Sequence, residues 1–154
     1  MLVKNQPAPE FSAINQDQQL ISLTDFRGKR NVVLYFYPKD DTPGCTLEAN
    51  DFSHLAEEFA KLDTIILGVS KDSCASHQHF IEKYTLTINL LADIDGQLCE
   101  LYRVWQEKEK AGVKRMCIVR STFLIDKQGI LREVDYGVTP TNHAKAVLEK
   151  IKTW

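Results

Sequence analysis

The chain has 154 residues, enough for a single domain over residues 1–154 with its own hydrophobic core. Its 44% hydrophobic and 26% charged residues are typical of a globular protein, and 19 basic against 21 acidic side chains give a formal net charge of −2. Because there is no basic excess, we expect no nucleic-acid partner. Because no apolar run approaches about 18 residues, we expect no membrane segment.

The four cysteines indicate reduced thiols rather than a disulfide framework. The N-terminal residues lack the apolar stretch of an export signal, so we expect a cytoplasmic protein. No two cysteines form a CxxC pair, which argues against a zinc ribbon and against a dithiol reductase. If a cysteine of this chain has a chemical function, we therefore expect it to be catalytic or redox.

In the first half of the chain, short β-branched or aromatic runs alternate with one longer stretch of helical period. These patterns predict a hairpin-like pair at residues 11–14 and 19–22, strands at 31–37 and 64–69, and one helix over about 43–62. The run at 31–37 has no polar face, as expected of a strand that is buried on both sides.

The second half continues the alternation of strands and helices. It predicts a helix from 71–73 to about 84, a strand at 89–92, a helix at 96–102, a hairpin at 121–126 and 130–135, and a last helix from 139–140 onward. The charged stretch 106–115 predicts an exposed loop. Together the elements predict an α/β fold with a mixed, mostly parallel central sheet flanked by helices.

Cys45 lies where a buried strand passes through a loop with proline and glycine into a helix. Thr42 is a good N-cap and Pro43 suits the first helical position, so Cys45 falls in the first turn. There, unpaired N–H groups and the helix dipole favour a thiolate. The effect matters because a cysteine with a pKa of about 8.5 is only about 3% thiolate at pH 7. The negative charges of Asp40 and Asp41 disfavour a thiolate at Cys45, so we expect a cation nearby to offset them.

The segments FYPKDDTPGCTLEA (residues 36–49) and RSTFLID (residues 120–126) resemble the peroxiredoxin family, and within it the peroxiredoxin Q or bacterioferritin comigratory protein subgroup. The resemblance covers essentially the whole chain. It implies a thioredoxin-like fold and a monomeric, antioxidant thiol peroxidase. The implied substrates are hydrogen peroxide and alkyl hydroperoxides, and the implied reductant is thioredoxin or a similar dithiol.

The resemblance also implies a role for each matching residue. Cys45 would be the peroxidatic cysteine, which attacks the O–O bond and becomes a sulfenic acid. Thr42 would donate a hydrogen bond to the peroxide, and Arg120 would stabilise both thiolate and peroxide. Pro38 would shield the pocket from water. Such donors can stabilise charge on the leaving oxygen without a metal or an organic cofactor.

The identity of a resolving cysteine stays open. Many subgroup members have one five residues after the first, but here that position is Asn50. Another subgroup pattern places it on the following helix, near Ile81, and Cys74 lies seven residues earlier on roughly the same face. If the two preceding strands are neighbours, Cys45 and Cys74 share one edge of the sheet. A disulfide would still require local unwinding, because its Cα atoms must come within about 7 Å. The alternative is direct reduction by an external thiol.

Two further side chains are candidate supporting residues. Glu48, one turn after Cys45, either orients Arg120 through a bidentate pair or is a surface carboxylate. Trp105 either borders the active site or is an ordinary core aromatic residue.

The remaining cysteines and histidines are interpreted structurally. Cys99 and Cys117 are expected to fill the core. His77 and His79 lie on different helix faces, so no joint metal site is expected. His143 is expected at the surface.

One function from another class competes with the peroxidase. A redox sensor or chaperone-type binding protein on the same fold would oxidise Cys45 as a signal. Multiple turnover with a thiol reductant distinguishes the two, because a sensor would show a single slow oxidation.

Overall fold

The computed structural model describes residues 1–154 and contains nine strands and five α-helices. The strands are β1 (Ser12–Asn15), β2 (Leu20–Ser22), β3 (Asn31–Phe36), β4 (Thr64–Ser70), β5 (Asn89–Ala92), β6 (Trp105–Lys110), β7 (Val113–Ile118), β8 (Ser121–Ile125) and β9 (Leu131–Tyr136). The helices are α1 (Pro43–His54), α2 (Ala56–Lys61), α3 (Cys74–Tyr84), α4 (Gln97–Leu101) and α5 (His143–Ile151). No helix has the length and apolar character needed to cross a membrane.

Seven strands form one mixed sheet in the order β2-β1-β5-β4-β3-β8-β9. Only β3–β4 and β4–β5 pair in parallel, while the other four pairings are antiparallel. The expectation of a mixed sheet flanked by helices is therefore confirmed, and the expectation of a mostly parallel sheet is wrong. The reason is topological: helical crossovers join only the three central strands, whereas the outer strands come back through hairpins or longer irregular connections.

The sheet separates two hydrophobic clusters, because alternate residues of β3 point to opposite faces. Val32, Leu34 and Phe36 belong to the first cluster, which also contains Cys99 of α4. Val33, Tyr35 and Tyr37 belong to the second cluster, together with buried residues of α1, α2, α3 and α5. Cys45 lies in this second cluster. Burial raises the pKa of the Cys99 thiol, consistent with its predicted core role.

The predicted helix over residues 43–62 is two helices, interrupted at Leu55, whose φ and ψ are −97° and 2°. Phe52 and Phe59 on the two sides of the break both stay in the second cluster, with ring centroids 6.0 Å apart. The helical spacing of apolar residues over 43–62 therefore predicted the buried face correctly, but it could not reveal the break at Leu55. The last helix begins at His143, later than predicted, because Asn142 adopts a left-handed conformation.

The predicted loop over residues 106–115 is a two-stranded ribbon of β6 and β7. Its turn is Ala111-Gly112, and both residues have positive φ, as tight hairpins require. Because most of the ribbon is exposed on both faces, it lacks the apolar alternation that reveals a strand. Cys117 is a half-buried residue of this ribbon, so its predicted place in the core is wrong.

Candidate functional site

Cys45 occupies the first turn of α1, as predicted, and only 1% of it is exposed. Thr42 is the N-cap residue, but its hydroxyl donates to the Lys39 carbonyl oxygen at 2.8 Å instead of capping the helix. The first-turn N–H groups of α1 thus receive no side-chain cap from Thr42. Pro38 is exposed in the same loop.

The expected cation is Arg120, which immediately precedes β8. Its Nη2 donates to the Cys45 Sγ at 3.4 Å, and its Nη1 donates to the Glu48 Oε1 at 2.7 Å. Gly44 leaves room for this contact, because a Cβ at that position would lie 3.1 Å from Nη2 of Arg120. The guanidinium therefore joins two residues of α1 that are one turn apart.

Glu48 is fully buried, so its interpretation as a surface carboxylate is wrong. It orients Arg120 through Oε1 alone and not through a bidentate pair, since Oε2 has no hydrogen-bond partner. Burial raises the pKa of Glu48 to about 7, although Arg120 opposes the shift. Burial by itself would lower the pKa of Arg120, but the charges of Glu48 and Cys45 keep it raised.

The carboxylate of Asp40 is buried and enclosed by hydrogen-bond partners. Tyr37 donates its hydroxyl to Oδ1 at 2.6 Å, while Ser76 Oγ donates to Oδ2 at 2.8 Å. The His77 Nδ1 lies 2.7 Å from the same Oδ2. Asp40 is thus fastened to the first turns of α3.

Asp41 is engaged by the other end of α3. Lys83 Nζ donates to its Oδ2 at 2.7 Å, and the Tyr84 hydroxyl donates to its Oδ1 at 2.5 Å. These hydrogen bonds, that of Lys83 above all, lower the pKa of Asp41. The two acidic residues before Cys45 therefore each have a partner on α3.

The hydrogen bonds of the His77 ring indicate where its protons lie. His77 Nε2 lies 2.9 Å from the Leu91 carbonyl oxygen, which can only accept, so Nε2 carries a hydrogen. A neutral ring would then present a lone pair at Nδ1 to Asp40, and two lone pairs 2.7 Å apart would repel. One proton therefore lies between Nδ1 and Oδ2 in this buried pair. The sequence analysis missed this pair, because the two residues are 37 positions apart.

Cys74 is the first residue of α3 and is half-buried. Since β3 and β4 pair in parallel from Asn31↔Thr64 to Phe36↔Val69, the segments leading to Cys45 and Cys74 leave the same edge of the sheet. A hydrogen bond of 2.8 Å from the Asp40 backbone N–H to Asp72 Oδ2 connects the two loops. Cys45 and Cys74 are both free thiols in this structure.

Trp105 packs against the first core cluster, whereas Cys45 belongs to the second. Its ring is covered by the Lys71 ammonium, 4.0 Å from the ring centroid. The contacts of Trp105 thus favour the interpretation as a core aromatic residue.

His143 is half-buried, so its predicted surface position is wrong. Its Nε2 hydrogen-bonds with Thr122 Oγ1 at 2.8 Å, and its ring meets Phe52 edge-on. Burial lowers the pKa of His143. Near the site, sequence reasoning also missed Tyr35, whose buried hydroxyl has no partner. Burial, followed by the charges of Glu48 and Cys45, raises the pKa of Tyr35.

Residues 5–134 match the AhpC/TSA family. The chain is 47% identical over 146 residues to a putative peroxiredoxin bcp of Helicobacter pylori J99, covering 95% of both proteins. It is similar to a solved PrxQ mutant of Xylella fastidiosa, with a TM-score of 0.93, 33% identity, and coverage of 99% of this chain and 97% of that one.

A second similar structure is the Xanthomonas campestris bacterioferritin comigratory protein, described by its alkyl peroxide reduction activity and a trapped intermediate or ligand complex. The TM-score is 0.88 and the identity 37%, over 93% of this chain and 90% of that one. These similarities confirm the thioredoxin-like fold.

Breaking the buried pair of Asp40 and His77 should strongly destabilise the protein. We expect His77→Ala or Asp40→Ala to lower the free energy of unfolding by about 3–5 kcal/mol, because each leaves an uncompensated buried partner. Lys83→Ala, which removes the exposed partner of Asp41, should leave the stability nearly unchanged. Chemical denaturation of the three variants checks this, and similar losses in all three would contradict it.

Glu48 should make the folded protein less stable as the pH rises. The folded state keeps a proton on Glu48 up to about pH 7, whereas the unfolded chain loses it near pH 4.5. Stability from this group is therefore full below pH 4.5 and is lost as the pH rises to about 7, a total of about 3 kcal/mol.

Denaturation of reduced protein across this pH range measures the slope. Glu48→Gln should remove this component of the slope, while Glu57→Gln, at an exposed position of α2, should follow the original protein. Identical slopes in all three proteins would show that Glu48 titrates normally.

Proposed function

Because the chain belongs to the AhpC/TSA family and is a thiol-dependent peroxidase, we propose that Cys45 is the residue that attacks the peroxide. The observation that carries this assignment is the 3.4 Å contact between Cys45 Sγ and Arg120 Nη2 at the start of α1. A buried sulfur that faces a guanidinium and a helix N-terminus is in an environment that stabilises its anion.

The proposed reaction is an attack of the Cys45 sulfur in line with the O–O bond. The sulfur bonds to one oxygen and becomes a sulfenic acid, while the other oxygen leaves as water or an alcohol once it is protonated. Arg120 stabilises the negative charge in the transition state, since its Nη2 already points to the sulfur. We assign to Thr42 a hydrogen bond donated to the peroxide, for which its hydroxyl must turn away from the Lys39 carbonyl oxygen. We assign to Pro38 the exclusion of water from the site.

We propose hydrogen peroxide and alkyl hydroperoxides as substrates. Both present the same O–O bond to Cys45, and the similar Xanthomonas campestris protein is described by its alkyl peroxide reduction activity. The Arg120 nitrogens that contact Cys45 and Glu48 can act on the peroxide oxygens, which both kinds of substrate share.

We propose that Cys74 resolves the sulfenic acid by forming a disulfide with Cys45, which thioredoxin or a similar dithiol then reduces. Support comes from the parallel pairing of β3 and β4 and from the hydrogen bond between Asp40 and Asp72. Cys45 is buried, so the first turns of α1 must unwind before the sulfurs can meet.

We propose that the monomer is the active form, because Cys45, Glu48 and Arg120 all come from one chain. We place it in the cytoplasm, where thiols are kept reduced between turnovers.

Replacing the attacking sulfur should abolish turnover. We expect Cys45→Ser to reduce peroxide consumption with a thiol reductant to the uncatalysed rate, because a hydroxyl is not a nucleophile of comparable strength at neutral pH. Cys117→Ser, on the exposed ribbon, is the matched control and should keep full activity. Near-normal turnover by Cys45→Ser would overturn the assignment.

The product of the first oxidation should be a Cys45–Cys74 disulfide. We would treat reduced protein with one equivalent of hydrogen peroxide in the presence of a sulfenic-acid trap and map the peptides by mass spectrometry. In the Cys74→Ser variant the trap should instead label Cys45. Trapped Cys45 with a free Cys74 in the unmodified protein would mean that an external thiol resolves the intermediate.

A further inference from the structure

The cluster of Cys45, Glu48 and Arg120 contains one cation for two acidic groups. Cys45 and Glu48 are both buried, and each contacts a different nitrogen of the same guanidinium. With both groups ionised, the cluster would bury a net negative charge, which is costly in a low-dielectric interior. With one of them protonated, the cluster is neutral.

Building on the proposed role of Cys45, we propose that Glu48 holds the proton that the reaction requires: it is protonated while Cys45 is a thiolate, and it gives this proton to the oxygen that leaves when the O–O bond breaks. Glu48 then becomes the carboxylate partner of Arg120. Oε2 is the atom that holds the proton, because Oε1 accepts from Arg120 Nη1 and Oε2 has no partner.

The steps balance in atoms and charge. In the first, which is complete in the reduced protein before peroxide binds, the Cys45 thiol passes its proton to the Glu48 carboxylate and leaves a thiolate beside a carboxylic acid. In the second, the thiolate attacks the peroxide ROOH, so that an S–O bond forms, the O–O bond breaks and RO⁻ leaves. In the third, RO⁻ takes the proton of Glu48 and departs as ROH. The buried cluster is neutral both before attack, with a thiolate, and after it, with a carboxylate.

No other titratable group around the cluster fits this role equally well. The charged or titratable groups that interact electrostatically with Glu48 are Asp51 on α1, Arg120 before β8 and Tyr35 on β3, while Cys45 shares the Arg120 guanidinium. Helix α5 brings His143 against Phe52. Tyr35 retains its proton because burial raises its pKa well above the usual value. His143 is engaged with Thr122, and Asp51 is only half-buried.

The raised pKa of Glu48 is consistent with this role, because a proton donor is most effective when its pKa lies near the working pH. The rate of oxidation should accordingly fall above about pH 7, where Glu48 loses its proton.

The test compares two peroxides: one whose leaving oxygen must be protonated and one whose leaving oxygen is stable as an anion. Cleavage of tert-butyl hydroperoxide releases an alkoxide, a strong base, whereas cleavage of peracetic acid releases acetate, which is stable as an anion. Glu48→Gln keeps an oxygen acceptor for Arg120 but cannot donate an acid proton. We expect it to slow oxidation of Cys45 by tert-butyl hydroperoxide by about 10²-fold at neutral pH.

With peracetic acid at neutral pH, Glu48→Gln should react at nearly the normal rate. With tert-butyl hydroperoxide, the variant should lack the alkaline fall in rate that the unmodified protein shows above about pH 7. Glu57→Gln, an exposed carboxylate on α2, is the matched control and should behave as the unmodified protein with both peroxides. Equal slowing with both peroxides, or an unchanged pH profile, would mean that Glu48 only positions Arg120 and would overturn the proposal.

A measurement on the unmodified protein covers the case in which Glu48→Gln does not fold. Infrared difference spectra before and after one equivalent of hydrogen peroxide should show loss of a buried carboxylic acid band and gain of a carboxylate band. Absence of this change would overturn the proposal. Failure of the underlying function would look different, because Cys45→Ser would then retain peroxidase activity.

Discussion

The arrangement of the site depends on the two hydrogen bonds of the Arg120 guanidinium, one to the Cys45 sulfur and one to the Glu48 carboxylate. The guanidinium connects the start of α1, which follows β3, to the residue that precedes β8, the strand next to β3. Gly44 leaves space for the contact, since a Cβ at that position would lie 3.1 Å from Nη2. A shift of α1 relative to β8 would therefore disturb the charge balance at Cys45.

The first turns of α1 must be ordered for peroxide attack, yet they must be able to unwind for a disulfide to form. Asp40 and Asp41, which precede α1, are fastened to the two ends of α3. Cys45 lies only four residues beyond Asp41, so unwinding of the first turns of α1 would leave its sulfur tethered close to α3. The loop of Asp40 and Asp41 can therefore stay fixed during both steps, while the first turn of α1 unwinds for disulfide formation.

Agreement between sequence and structure is best where local rules decide the outcome. The apolar run of β3 and the N-cap signals of Thr42 and Pro43 correctly placed Cys45 in the first turn of α1. The ribbon of β6 and β7 was missed because its exposed faces carry no apolar alternation. The break at Leu55 was missed because burial on both sides of it keeps the same period.

The sequence by itself determined the α/β alternation, the family resemblance and the candidate residues Cys45 and Arg120, because these follow from local patterns and motifs. Only the tertiary structure decided that Glu48 is buried on Arg120, and that Asp40 shares a proton with His77. Both pairs join residues distant in the chain, and a charge takes its properties from burial and partners. Those are features that folding creates and that no local pattern in the sequence contains.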